Sequence, residues 1–204
     1  LTTSSAASDV YKRQINILAI CAKSKNKKRK INVNDFKWVE DPFDIADDKE
    51  IDVVVELIGG EEDPAKSIVE KSLLNKKHVV TANKALLSKH GHYLALLAEE
   101  QKVSLNFEAA VAGGIPIIKA IKESLSANAI SKVYGVINGT CNYILTQMEK
   151  EEKEYIEVFK KAQQLGYVEK DPTLDVGGID TAHKISLLTA CAFGTRINFE
   201  NVVT

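Results

Sequence analysis

A chain of 204 residues with 45% hydrophobic content can bury a sizeable core, as one large or two small domains. A net charge of −1 gives no general pull toward nucleic acid or an anionic membrane, so a small molecule or a protein is the expected partner. Cys21, Cys141 and Cys191 are far apart with no CxxC spacing, which argues against a disulfide framework or a zinc site, and no apolar run approaches the roughly 20 residues that span a bilayer; the expectation is a soluble, cytoplasmic protein.

Residues 1–14 are Ser/Thr/Ala-rich, lack a start Met and show no apolar period, so they are expected to be a disordered or foreign leader. The β-branched run from Ile15 to Ala22 predicts a buried strand, followed by a basic tract from Lys23 to Lys30. That tract reads either as a solvated loop or as positive charge able to hold the 2′-phosphate of NADP. A short strand is expected over Phe36 to Val39 and a short acidic helix over Pro42 to Asp48. The run from Ile51 to Gly60, continuous in Val and Ile and closed by Gly59-Gly60, predicts a central parallel strand buried on both faces. Its glycines either make a simple turn or let the backbone approach a ligand.

Asp63 and Pro64 then open a helix to about Asn75, with Ile68, Val69, Leu73 and Leu74 as its apolar stripe. A strand from Lys77 to Thr81 leads through Ala82-Asn83-Lys84 into a helix ending near Glu100, and Val103 to Phe107 is a further strand. Strand and helix alternating in this way predict an α/β fold, a Rossmann-like parallel sheet, with ligands beyond the carboxyl ends of the strands. After a helix from Pro116 to Leu125, a strand is expected from Ile130 to Ile137, ending in Asn138-Gly139-Thr140-Cys141-Asn142-Tyr143. Small and amide side chains there would leave N–H groups free for an anion or carbonyl. Residues 143–149 and 154–165 read as helices, the second with Tyr155, Ile156, Val158, Phe159 and Leu165 as a buried stripe, joined by a solvated charge run.

The stretch from Leu165 to Lys184 looks like a polar site. Glu169, Asp171 and Asp175 crowd a Gly- and Pro-bounded loop, and Asp180 and Lys184 follow one turn apart on a helix that continues with Ile185, Leu187, Leu188 and Ala190. Charge in the first turn and apolar anchoring behind it would hold such a site rigid. Taken alone, the pair also reads as an exposed ion pair beside a solvated acidic loop.

Five stretches, Val55 to Gly60, Val79 to Lys84, Glu108 to Pro116, Asn138 to Tyr143 and Gly166 to Lys184, occur in one order in which the chain resembles homoserine dehydrogenases, from about Ile15 to Thr195. The resemblance implies a partial nucleotide-binding Rossmann domain over 15–112 and a partial α+β catalytic and dimerisation domain over 113–204. It implies interconversion of L-homoserine and L-aspartate 4-semialdehyde by hydride transfer with NADP or NAD, in threonine, methionine and isoleucine biosynthesis, by a homodimer or larger assembly. Lys84 and Lys184 match the catalytic lysines, and Glu169 and Asp180 the carboxylates that hold substrate. Gly59, Thr81, Asn83, Lys84 and Gly139 match cofactor-lining positions, and Glu108, Val111, Gly113 and Ile115 a sodium site of one carboxylate and backbone carbonyls. His183 is read as a packing or surface residue, and Asp171 and Asp175 as shaping the loop.

The family's opening strand and Gly-x-Gly-x-x-Gly turn are not found in this sequence. The chain is therefore expected to behave as an internal fragment, weakly active or inactive by itself. Two other readings stand beside it: a non-catalytic binding module on the same fold, and another amino-acid-pathway dehydrogenase, such as a semialdehyde dehydrogenase using Cys141 as nucleophile.

Overall fold

The computed structural model describes residues 14–168 and 172–204, with Leu174 described by its backbone alone. Two parallel sheets form among these residues: a two-stranded one pairing β1 (Ala19–Ile20) with β2 (Lys37–Trp38), and a three-stranded one in the order β3 (Val53–Glu56), β4 (His78–Thr81), β5 (Leu105–Asn106). Val54 lies opposite Val79, and Val79 opposite Leu105. Helices α1 (Pro42–Asp47), α2 (Ala65–Leu74) and α3 (Lys84–Gln101) connect the strands, which is the Rossmann-like α/β alternation the sequence predicts. No helix among the described residues is long and apolar enough to cross a membrane.

Local chemistry sets the helix starts. Asp41 accepts from the Phe43 N–H ahead of α1. Asp63 accepts from the backbone N–H and hydroxyl of Ser67, and Asn83 accepts from the Leu86 N–H at the start of α3. The core lies between the sheet, α2, α3 and the later helix α9 (Ile179–Phe193), where Leu73, Val79, Leu86, Leu87, Leu94 and Leu187 are buried. Each contributes about 2 kcal/mol of apolar burial. A smaller core of Ile144, Val158, Ala162 and Val168 joins α6 (Gly139–Glu151) to α7 (Tyr155–Gln164).

Several expectations change. The run from Ile15 to Ala22 forms a strand only at Ala19–Ile20, both half-buried, and Ile15, four residues ahead of that ladder, stands 84% exposed. The strand expected from Ile51 to Gly60 is Val53–Glu56, and it is an edge strand. Val54 and Glu56 are buried, while Val53 and Val55 are exposed, because only one face is covered by helices. No ladder forms between Ile130 and Ile137; Tyr134 and Val136 are exposed there, since an apolar run without a neighbouring strand has no sheet to join. In α7 only Val158 of the predicted stripe is buried, with Phe159 packed beside it, whereas Tyr155, Ile156 and Leu165 are exposed. Leu74 is exposed at the end of α2. Three short pieces complete the path to α9: α4 (Glu108–Val111), α5 (Ile117–Lys119) running on into a wide turn over Ala120–Ser124, and α8 (Thr173–Val176).

Candidate active site

The site forms where α9 begins. Between α8 and α9 the chain turns at Gly177 and Gly178; a Cβ at Gly177 would stand 2.5 Å from the Thr173 carbonyl oxygen, and Gly178 has φ +77°. This reversal aims the first turn of α9 at the carboxyl ends of the strands. Asp180, 7% exposed, accepts there from Lys184 one turn on, with Nζ 2.7 Å from Oδ2. Lys84, the first residue of α3, places its Nζ 3.0 Å from Asp180 Oδ1. The Asn138 amide nitrogen completes the set at 3.0 Å from Oδ2, and also donates to Asp175 Oδ1 at 2.9 Å.

A buried carboxylate is stable only when its lone pairs are satisfied. Burial pushes the Asp180 carboxyl up, but hydrogen bonds from Lys184, Lys84 and Asn138 pull harder, so it lies below its ordinary 3.8 and stays ionised. Three donors occupy Oδ2 fully and Oδ1 in part, which leaves about one acceptor position, on Oδ1. Lys184 also donates to the Ile137 carbonyl at 3.1 Å. Lys84 remains 37% exposed and Lys184 18%, so both ammonium groups border solvent-accessible space.

A second cluster lies at the ends of β3 and β4. Glu56 is 2% exposed; its Oε1 accepts from the backbone N–H groups of Ile58 (2.6 Å) and Gly59 (3.2 Å), and its Oε2 from the Thr81 hydroxyl (2.5 Å). Thr81 Oγ1 in turn accepts from the Asn83 N–H at 2.9 Å, and the Asn83 side chain donates to the Gly60 carbonyl at 2.7 Å. Gly59 and Gly60 have φ +81° and +85°, and a Cβ built on either would meet open space. That is an open, Cβ-free wall beside Lys84, of a kind that can receive a flat ring.

Glu169 and Asp171 lie outside the described residues. Gly139 opens α6 directly after Asn138. The Asn138 oxygen accepts from the Cys141 N–H at 2.8 Å, so that amide is capped rather than left for an anion. Glu108 accepts from the backbone N–H groups of Ile118 (2.7 Å) and Lys119 (2.9 Å); Val111 is buried, while Gly113 and Ile115 are exposed. Each Glu108 oxygen keeps a lone pair, and the donor types are all hard oxygen, which suits a monovalent cation. His183 packs against the Phe199 ring at 4.4 Å, and burial together with the Lys84 charge holds its pKa below 6.5. The Cys141 thiol donates to the Asp175 carbonyl at 3.5 Å, and burial and the carboxylates of Asp175 and Asp180 push its pKa up. In the basic tract, Arg29 donates to the carbonyls of Ser24, Lys25 and Lys27 and lies over the Trp38 ring at 5.7 Å.

Sequence reasoning missed Asn138 and Glu56 as site residues. An Asn-Gly pair at a helix start signals the cap, but not the reach of the amide nitrogen to two carboxylates. Glu56 carried a plainer sign, a lone acid inside an apolar strand.

Comparison with known proteins bears on this geometry. The family model described as "Homoserine dehydrogenase, NAD binding domain" matches residues 3–108, and that described as "Homoserine dehydrogenase" matches 116–204. The homoserine dehydrogenase of Neisseria gonorrhoeae is 50% identical over 187 residues, which cover 92% of this chain and 42% of that protein. The crystal structure of a homoserine dehydrogenase from Thiobacillus denitrificans superposes with a TM-score of 0.87 at 44% identity, over 95% of this chain and 45% of that one. A hyperthermophilic archaeal homoserine dehydrogenase in complex with NADPH matches with a TM-score of 0.69 at 28% identity, over 80% of this chain and 52% of that one. The chain spans less than half the length of the curated relatives it matches.

Proposed function

The chain belongs to the homoserine dehydrogenase family, and we propose that it carries the reacting centre of an NAD(P)-linked enzyme that interconverts L-homoserine and L-aspartate 4-semialdehyde in threonine, methionine and isoleucine biosynthesis. The observation that carries this reading is the single buried carboxylate of Asp180 shared between Lys84 and Lys184, which come from helices far apart in sequence. Oxidation of an alcohol moves a hydride from carbon and a proton from oxygen. The nicotinamide, when bound, supplies the hydride acceptor; the chain must move the proton.

Lys84 and Lys184 are the groups that hold and take the hydroxyl proton, and Asp180 fixes both side chains at the spot where they act. The acting lysine first gives up its ammonium proton to solvent; its neutral amine then accepts the hydroxyl proton as the C–H bond breaks, and the aldehyde leaves. Glu169 and the remaining acceptor position of Asp180 receive the substrate α-ammonium group. Gly59, Thr81, Asn83 and Gly139 line the cofactor. Glu108, with the carbonyls of Val111, Gly113 and Ile115, would hold a sodium ion, which would supply positive charge at the turn between a nucleotide-binding part (15–112) and a catalytic part (113–204).

Cys141 weighs against the semialdehyde dehydrogenase reading. Such an enzyme needs a thiolate, whereas this thiol faces two carboxylates and has its pKa raised. The test is NADP-linked oxidation of L-homoserine by this chain of 204 residues and by a form extended to the length of the relatives. Activity in the extended form that is lost on Lys184→Ala supports the proposal. Silence of the extended form with homoserine sinks the substrate assignment and favours the binding-module reading.

A further inference from the structure

Glu56 takes no part in the proton transfer proposed above, yet it is a buried acid at the end of an otherwise apolar strand. Its hydrogen bonds close a ring. Starting from the carboxylate, the path runs through the Thr81 hydroxyl to the Asn83 N–H, through the Asn83 amide to the Gly60 carbonyl, and back along the loop to the Ile58 and Gly59 N–H groups held by Glu56. The same Asn83, one residue before Lys84, caps α3 by accepting from the Leu86 N–H at 3.1 Å.

The direction of each bond matters. A carboxylate only accepts, so the Thr81 proton must point at Glu56, which turns a Thr81 lone pair toward the Asn83 N–H. The bonds polarise one another in a site shielded from water. The charge also has a consequence for what the loop can receive. With the Ile58 and Gly59 amides committed to Glu56 and a carboxylate beneath them, the loop repels a phosphate, and Gly59-Gly60 presents Cβ-free backbone to an uncharged part of a ligand.

We propose that Glu56 is a positioning residue that couples the loop at residues 57–60 to the first turn of α3, so that the Gly59-Gly60 wall and Lys84 are held as one unit. Only its consequence for cofactor affinity rests on the nicotinamide reading; the coupling itself stands on the ring.

The experiment is residue-resolved amide hydrogen exchange on the full chain, comparing wild type with Glu56→Gln and Thr81→Val, together with the dissociation constant for NADPH. Glu56→Gln keeps an acceptor on one side only: its amide oxygen serves either the Ile58 and Gly59 N–H groups or the Thr81 hydroxyl, and its NH2 faces the other, so the ring opens in either orientation. Exchange at Leu86 rises about tenfold, the size expected for loss of a charge-assisted bond. Thr81→Val leaves Glu56 without one donor, and exchange rises at Ile58 and Gly59. Exchange at Leu94 and Leu97, deeper in α3, stays unchanged in both, which shows that the fold is intact. NADPH affinity falls about tenfold in each variant.

The proposal is overturned if each substitution disturbs only its own end of the ring, Glu56→Gln only Ile58 and Gly59, and Thr81→Val only Leu86. Unchanged NADPH affinity in a variant whose loop has loosened overturns it too. If wild type binds no NADPH, the affinity is measured on the form extended to the length of the relatives, where silence sinks the cofactor reading, and the exchange pattern decides the coupling in either case.

Discussion

Lys84 and Lys184 reach the same carboxylate by contrasting routes. Lys184 needs only its own helix, since a spacing of four residues on α9 sets it over Asp180. Lys84 depends on a junction in which loops after two different strands are tied to the start of α3 through Glu56, Thr81 and Asn83. One half of the site is secured by helical periodicity, the other by contacts between distant parts of the chain. Local geometry therefore makes the Asp180–Lys184 pair robust, and the position of Lys84 is the quantity open to adjustment.

The comparison breaks hardest at the shared carboxylate. Asp180→Ala leaves Lys84, Lys184 and the Asn138 amide facing a cavity without their acceptor, and a loss of about 3 kcal/mol is expected in urea unfolding. Asn138→Asp keeps the cap on the Cys141 N–H but removes the donor that joins Asp175 to Asp180 and puts a third carboxylate beside them. Its expected cost is about 2 kcal/mol, against about 1 kcal/mol for Asn138→Ser, which retains a cap alone. A result with the two variants equal would mean that capping is the whole role of Asn138.

The lysines themselves sharpen the contrast. Lys184→Met is expected to cost about 1 kcal/mol and Lys84→Met about 0.5 kcal/mol in the same assay, because the more exposed Lys84 is better screened by solvent. The mildest effect is in acid. The folded Asp180 carboxyl lies below 3.8, so its contribution is fully present above its unfolded value and is lost as pH falls through the folded one. Thermal scans between pH 5 and about 2.5 should show a slope that Asp180→Asn reduces.

The sequence made the helical half of the site readable. Asp180 and Lys184 announce their own contact, and Asn83 ahead of Lys84 announces a helix start. The strands were harder. The apolar run from Val53 to Ile58, broken only by Glu56, looks the same whether one face or both are covered, and the exposure of Val53 and Val55 depends on which neighbours the sheet has. The same holds from Ile130 to Ile137, where an apolar run found no strand to pair with among the described residues.

What the sequence determined by itself is therefore what periodicity and capping carry within about one turn: the α/β alternation, the helix starts and the i,i+4 pair. What only the tertiary structure decided is the meeting of Lys84 with Asp180, the reach of Asn138 to two carboxylates and the ring closed by Glu56. Those contacts join residues whose separation in the chain leaves no local signal, and they exist only because packing of α9 on α3 and the strand ends brings buried polar groups within reach of the partners that burial obliges them to find.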